Sequence, residues 1–453
     1  MDATSLTQIA QWSGGVLIGD GSCEVRRVVT DSRKAMEGDL FVALKGERFD
    51  GHDFLAQVAA QGVSGAMVQG GSGERPNGLN VVEVGDVLTG LQRLAGAYRQ
   101  TLPARVVGIT GSSGKTTTKD FTFAVLSAQS SGWCTQGNLN NHIGVPLTLL
   151  SGRREHAFAV VEMGMNHAGE IAPLADLASP EVAIITNVGV AHIEFLGSRE
   201  AIAREKGSLA ARVGEQGTVV LSAEDEYTPL IASLTKARIM TAGIACGEIQ
   251  AVDVLPLEGG SRFALLHEGE RVEVMLGVPG HHMVRNAALA VAAGVAMGMT
   301  LSAAAEGLSS IQLSKGRMES RLLGGIQFFD DTYNANPDSM KAALSTLAQW
   351  PATGRRIAIL GRMGELGSHA EAGHRAVGEA AAAGIDALYT VGSEADWISE
   401  EARRNGFAEV THFPDTATAA DSLRSVLREG DVVLVKGSRS ARMERIIEEV
   451  TRP

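Results

Sequence analysis

One stretch constrains what this chain can fold into more than any other: Val106-Val-Gly-Ile-Thr-Gly-Ser-Ser-Gly-Lys-Thr-Thr-Thr118. An apolar strand over 105–109 enters a Gly111-x-x-Gly114-Lys115-Thr116 turn, and a helix-compatible run follows over 117–127. Glycine at 111 and 114 lets the backbone N–H groups of the turn, from Gly111 through Ser112, Ser113 and Gly114 to Thr117, converge on phosphate oxygens. Lys115 adds a cation for the β- and γ-phosphates, and Thr116 offers a hydroxyl to Mg²⁺ at the positive end of the helix. The turn is shorter than the full G-x-x-x-x-G-K-[ST] pattern, and its plain alternative is a Gly/Ser-rich turn with a solvated lysine. The flanking strand and helix favour phosphate, and with it an enzyme that uses ATP.

At 453 residues the chain exceeds the size at which a single core keeps growing, so two or three domains are expected. Its 44% hydrophobic content, with 54 glycines and only 12 prolines, suits a folded α/β protein. A formal charge of −12 with no compensating basic stripe gives no general attraction to nucleic acid. Cys23, Cys134 and Cys246 are far apart and form no C-x-x-C, against a structural zinc site or a disulfide framework and in favour of a reducing cytoplasm. No basic segment leads into an apolar core at the N-terminus, and no run nears the ~18 apolar residues of a membrane span. The expectation is a cytoplasmic protein without stable membrane insertion.

Three blocks follow along the chain, expected over 1–102, 103–314 and 315–453. The first has short strands at 40–44, 65–68 and 80–84, helices at 54–61 and 86–98, and an exposed glycine-rich loop over 69–76. The second opens with the phosphate turn and continues through strands at 158–162, 182–186 and 218–221, spaced for a mostly parallel sheet with covered faces. Its late helix, 283–297, is rich in Ala and Val and is expected to be buried; the 243–260 region reads as little more than exposed surface. The third block alternates apolar segments at 326–329, 356–360, 387–391 and 432–435 with helical stretches, a Rossmann-like rhythm. Gly361-Arg-Met-Gly364 is too weak a glycine pattern to mark a dinucleotide site.

Strand ends in such sheets face the ligand crevice. Glu162 ends one strand, where its carboxylate can share Mg²⁺ with Thr116 or simply cap the chain. His192 follows the next strand and can enter the same crevice, although a lone histidine there is more often structural. Lys206 lies on a helix starting near Ser198, where charged residues usually face solvent.

Several separated motifs, taken together, resemble the ATP-dependent Mur ligases of peptidoglycan synthesis over essentially the whole chain. They are Asp31-Ser-Arg33 with Gly38-Asp-Leu-Phe-Val-Ala43, Asp50-Gly-His-Asp-Phe54, the phosphate turn, Asn138-Leu-Asn-Asn141 with Gly144-Val-Pro-Leu147, Asn187 to Glu194, and Asp331-Thr-Tyr-Asn-Ala-Asn-Pro337. The last, with Leu360-Gly-Arg-Met-Gly-Glu-Leu-Gly367 and Lys436-Gly-Ser-Arg439, is similar to the members that add a dipeptide. The resemblance implies a three-domain α/β architecture: an N-terminal UDP-sugar domain, a central P-loop ATPase domain and a C-terminal Rossmann-like domain. It implies ATP and Mg²⁺ as cofactors, and UDP-N-acetylmuramoyl tripeptide and D-alanyl-D-alanine as substrates. The tripeptide carboxylate would be activated as an acyl phosphate and attacked by the dipeptide amine.

By the same resemblance Thr116 and Glu162 bind a first Mg²⁺, and His192 and Lys206 serve a second, Lys206 as a carbamate. Lys115, His192, Lys206, Asn140 and Asn141 form the catalytic set. Asn286, Arg317, Asp331, Tyr333, Asn334 and Asn336 border the nucleotide, with Asn336 equally readable as a helix cap before Pro337. Asp31, Ser32, Arg33, Asn138, Asn140 and Asn141 face the UDP-peptide substrate, whereas Asp50 and His52 equally hold a turn. A monomer is the simplest expectation. A sibling ligase adding the third amino acid and a P-loop switch that joins nothing remain the alternatives.

Overall fold

The computed structural model describes residues 1–71, 75–311 and 313–452. Ser72, Gly73 and Glu74, within the loop expected to be exposed, lie outside the described residues. The chain forms two compact units, one of Met1–Gly108, Gln129–Gly164 and Gly169–Glu181, the other of Ile109–Ala128, Met165–Ala168 and Val182 onward.

In the first unit, five strands run in the order Val16–Ile18, Val81–Val84, Gly65–Gln69, Asp39–Val42, Arg27–Val29. All neighbours pair in parallel except the Val16–Ile18 edge. Phe41, Ala43, Leu55, Val58, Ala66 and Val68 pack into its core, the continuous apolar runs expected where a parallel sheet is covered. Helix Val87–Arg99 starts at Asp86, whose carboxylate accepts the Thr89 N–H at 2.7 Å. The helix ends with buried Tyr98, whose hydroxyl donates to Gly152 O. Strand Phe158–Glu162 pairs in parallel with Gly132–Cys134, and all five of its residues are buried.

The second unit holds two sheets. Strands Val182–Ile185, Thr218–Ser222, Arg238–Ile244 and Ile249–Leu257 are parallel neighbours, extended by two antiparallel strands, Gly260–His267 and Glu270–Leu276. This corrects the reading of 243–260 as mere surface: Ile249 and Ala251 are fully buried. Residues from 253 onward alternate toward solvent, which diluted the apolar signal. Helix His281–Ala296 is buried from Ala287 through Ala293, as its composition required. It lies so close to helix Lys115–Ser127 that a Cβ on Gly294 would stand 2.7 Å from Val125 Cγ1.

The second sheet runs Glu319–Leu323, Ile326–Asp331, Val432–Lys436, Arg356–Gly361, Ala387–Val391, Val410–Phe413, parallel except at its first pair. Phe328, Ile357, Ile359, Val433 and Val435 form its core. A doubly wound sheet of this kind carries its ligand-facing loops at the strand C-termini, here the turns after Asp331, Gly361 and Lys436.

Candidate active site

The phosphate-type turn sits in the second unit. Its strand is buried through Thr110, and the two glycines that follow are there for space: a Cβ on Gly111 would lie 1.8 Å from Thr186 Oγ1, and one on Gly114 2.9 Å from the Asn286 amide. Gly114 adopts φ 77°, a left-handed conformation, and begins helix Lys115–Ser127 with no side chain capping it. Asn187 braces the turn from the next strand end, its backbone and side-chain oxygens accepting the Ser112 and Ser113 N–H groups at 3.0 and 2.9 Å. Thr186 Oγ1 donates to Ser113 O at 2.6 Å. Lys115 Nζ donates to Gly111 O at 2.8 Å. Ser112 is buried, its hydroxyl without a hydrogen-bond partner among the described residues, and Thr117 is buried beside it.

Of the five residues expected from the C-terminal block, Arg317 and Asn336 reach this turn, Tyr333 lies beneath Arg317, and Asp331 and Asn334 bond within their own block. Arg317 donates to Thr116 Oγ1 at 3.1 Å and stacks over the Tyr333 ring, 4.0 Å from its centroid. Asn336 donates to Ser113 Oγ at 2.9 Å while its Oδ1 accepts the Ser339 N–H, so it caps helix Pro337–Gln349 and reaches the turn at once. Asp331 is engaged by Lys436 Nζ at 2.5 Å and by the Met318 N–H at 3.2 Å. Asn334 turns inward on its own chain, its carbonyl accepting from Lys436 and its side chain from the Ala335 N–H.

His192 and Lys206 also belong to this unit. His192 takes a left-handed backbone, φ 63°, and its Nδ1 lies 2.8 Å from Glu365 Oε2; Glu365 is itself left-handed at φ 61°. Two strained non-glycine residues facing one another mark a place where local stability is spent on geometry. The His192 contact holds the Glu365 carboxyl below the usual range against its partial burial, with Lys115 adding to the effect. Lys206 overturns the expectation of a solvent-facing helix charge. It is 1% exposed, whereas Glu200 and Arg204 on the same helix pair outward at 2.8 Å. Burial first, then the nearby Lys115 charge, pushes its amine well below the ordinary lysine range, against the pull of Glu205. Burial of an uncompensated ammonium is costly, which favours the uncharged amine at this position.

In the first unit Glu162 is 2% exposed at its strand end. Its Oε1 accepts from Asn140 Nδ2 at 2.8 Å, and its Oε2 has no hydrogen-bond partner among the described residues. Asn140 is fixed in turn by Gly164 N–H donating to its carbonyl at 2.7 Å. Asn141 Oδ1 accepts the Ile143 and Gly144 N–H groups and so serves the start of helix Gly144–Leu150; Asn138 is exposed. Arg33 folds back on Asp31 at 2.8 Å and lowers that carboxyl to about 2, with Ser32 buried between them. Asp50 and His52 meet at 2.6 Å and hold their turn.

These donors fit the groups the resemblance implies. Helix Lys115–Ser127 opens at Gly114 with no side chain capping it, which suits an anion, and the buried Glu162 Oε2, without a hydrogen-bond partner among the described residues, suits a hard cation. No three His, Cys, Asp or Glu side chains converge on a metal position among the described residues. Mg²⁺ commonly takes only one or two protein oxygens and completes its shell from phosphates and water. Glu365 had no role assigned from sequence; it stood only as one position of the Leu360-Gly-Arg-Met-Gly-Glu-Leu-Gly367 motif.

Three family descriptions match the chain: Mur ligase family, catalytic domain, over 24–99; Mur ligase middle domain over 109–294; and Mur ligase, glutamate ligase domain, over 316–439. The chain is 39% identical to the UDP-N-acetylmuramoyl-tripeptide–D-alanyl-D-alanine ligase of Escherichia coli, over 99% of this chain and 98% of that one. It is 37% identical to the Bacillus subtilis protein of the same name, over 94% and 93%. Among solved structures it is similar to MurF from Acinetobacter baumannii, with TM-score 0.92 and 34% identity over 100% and 99% of the two chains. MurF ligase from Thermotoga maritima in complex with ADP superposes with TM-score 0.83 at 30% identity, covering 94% and 97%.

Proposed function

The chain belongs to the Mur ligase family, and on that premise we propose that it joins D-alanyl-D-alanine to UDP-N-acetylmuramoyl tripeptide at the expense of ATP. The products are UDP-N-acetylmuramoyl pentapeptide, ADP and phosphate, a step of peptidoglycan synthesis and so of cell-wall growth and division. The observation that carries the reading is likeness along the full length to relatives of that activity, which a shared nucleotide domain alone would not produce.

A carboxylate is a poor acyl donor because it has no leaving group, and phosphorylation supplies one. In this reading Lys115 and the first turn of its helix hold the transferring phosphoryl oxygens, where charge develops. Thr116 and Glu162 would hold a first Mg²⁺ and His192 and Lys206 a second, and these ions would neutralise phosphate charge when bound. Lys206 serves as a carbamate. The uncharged amine, which burial favours, is the form that adds to CO₂, giving a carbamate and releasing one proton to solvent. Asn286 borders the adenine, and Arg317, Asp331, Tyr333, Asn334 and Asn336 the remainder of the nucleotide. Asn140 holds Glu162 in orientation, a support for its catalytic role that does not require substrate contact. Asn138, Asn141 and the Asp31-Ser-Arg33 turn lie on the UDP-peptide side. We propose domain boundaries at 102/103 and 314/315, a monomer, and a cytoplasmic location where both nucleotides are found; no helix among the described residues is long and apolar enough to cross a membrane.

Mass-resolved product formation tests the reading. With ATP, Mg²⁺, the UDP-tripeptide and D-alanyl-D-alanine, one amide should form per phosphate released, and omission of any component should stop both. Ligation of a single amino acid to the dipeptide precursor instead would move the chain to a sibling reaction. ¹³C-bicarbonate NMR should reveal a carbamate signal that Lys206→Met lacks.

A further inference from the structure

We propose that His374 is a positioning residue for ligation, fixing the 361–367 turn that holds Glu365 against His192. The inference rests on the ligase reading above and adds a residue outside the motifs quoted for it. His374 is fully buried in helix Ala370–Ala381, and both ring nitrogens are committed. Nδ1 lies 2.7 Å from Ala370 O, a group that can only accept, so Nδ1 carries the proton. Nε2 is therefore the lone pair that accepts the Met363 N–H at 3.0 Å.

That bond anchors a turn with few other options. The preceding strand has ended, Arg362 O accepts the Ser438 N–H at 2.9 Å, and Met363 and Leu366 are buried on either side of Glu365. The left-handed backbone of Glu365 costs energy by itself and persists because both flanks are pinned. Loss of the acceptor at Nε2 leaves the Met363 N–H buried without a partner, and the turn can recover it only by moving. Glu365 then leaves His192. Burial lowers the His374 pKa, against the charge of Glu394 and together with that of Arg362, so the ring stays neutral and keeps its accepting nitrogen near pH 7. The edge of the ring packs on Trp397, 5.7 Å between centroids, which leaves it no second orientation of equal quality.

The test uses three substitutions in the full chain. His374→Gln keeps an amide oxygen at the Nε2 position; His374→Asn reaches only the Nδ1 position; His374→Leu has neither. Displacing a catalytic contact by about an ångström costs on the order of 100-fold in rate, so Asn and Leu should lower kcat by about 10- to 100-fold. Their KM for ATP and the moles of ADP bound per mole of protein should stay unchanged, and Gln should restore most of the rate. Hydrogen exchange at the Met363 amide should be protected in wild type and Gln and unprotected in Asn and Leu. Should Leu fail to fold, the Gln and Asn pair makes the same comparison. Equal rates for Gln and Asn, or loss of ADP binding in proportion to activity, would overturn the proposal. Absence of ligation in the wild-type chain would instead count against the function, while the exchange measurement would still decide whether His374 holds the turn.

Discussion

Two helices in the second unit begin in opposite ways. Helix Lys115–Ser127 starts at Gly114 with no side-chain cap, while helix Pro337–Gln349 starts in a closed box, Asn336 and Ser339 each satisfying the other's backbone N–H at 2.9 and 3.0 Å. A helix start leaves N–H groups without partners inside the helix, and they must be satisfied by side chains, water or a ligand. The first helix leaves that role open to an anion and adds Lys115 beside it. The second is complete by itself and uses the spare Asn336 amide to reach Ser113. Asparagine at the second start makes it self-sufficient, whereas the first, beside Lys115, leaves its N–H groups to an outside partner.

The largest expected effect comes from the neighbourhood of Lys115 at the open start. Lys206→Met removes the buried amine beside Lys115, and ligation should fall by at least about 10³-fold. Its melting temperature should hold or rise, because an apolar side chain replaces a desolvated polar one. Retained activity with lowered stability would reverse the assignment of Lys206 from function to fold. Gly111→Ala comes next, since its Cβ would displace Thr186 Oγ1 and break the bond to Ser113 O. A titration with fluorescent nucleotide should show weakening of about tenfold or more, and denaturant unfolding a loss of about 2 kcal/mol.

The closed start should respond in two separable parts. Asn336→Ala should cost about 1 kcal/mol of stability in urea unfolding. Asn336→Asp keeps the accepting oxygen, so stability should stay near wild type while the lost amide donor raises the KM for ATP by a few-fold. If both variants lose only stability, Asn336 is a cap and nothing else.

The smallest effect concerns a third start, that of helix His281–Ala296. His282 is lowered to about 4, by burial first and by the nearby Lys436 and Arg285 charges, against the pull of Asp331. A histidine with a depressed native pKa binds its proton more readily when unfolded, so its contribution is present above the ordinary value near 6.5 and is lost as pH falls from there through about 4. His282→Gln should flatten that part of the stability–pH curve. An unchanged slope would mean that His282 binds its proton equally in the folded and unfolded chain, contrary to the lowered value.

Much of this was legible from sequence wherever one segment carries its own signal. The strands 158–162 and 387–391 fall where their apolar runs put them, and the Ala-rich helix near 290 is buried as read. Strand Glu270–Leu276 was missed because charged residues interrupt its apolar pattern at the sheet edge, and Gly260–His267 because its apolar run, Phe263 to Leu266, is only four residues long between polar ends. The site divides in the same way. Gly111 to Thr116 speak through local backbone chemistry, whereas Lys206 looks like any helix-surface charge until the packing around it is known. Glu365 and His192 are 173 positions apart (365 − 192), and only tertiary structure brings them to 2.8 Å. The burial of His374 had no local signature either, since a histidine in an amphipathic helix reads the same whether or not both nitrogens are used.

The most direct test of the central claim, that ATP activates the tripeptide carboxylate, follows one atom. The terminal carboxylate of the UDP-tripeptide is labelled with ¹⁸O, the ligation is run to completion, and the released phosphate is weighed. Activation through an acyl phosphate predicts one carboxylate-derived oxygen in each phosphate; pentapeptide formed with unlabelled phosphate would contradict it.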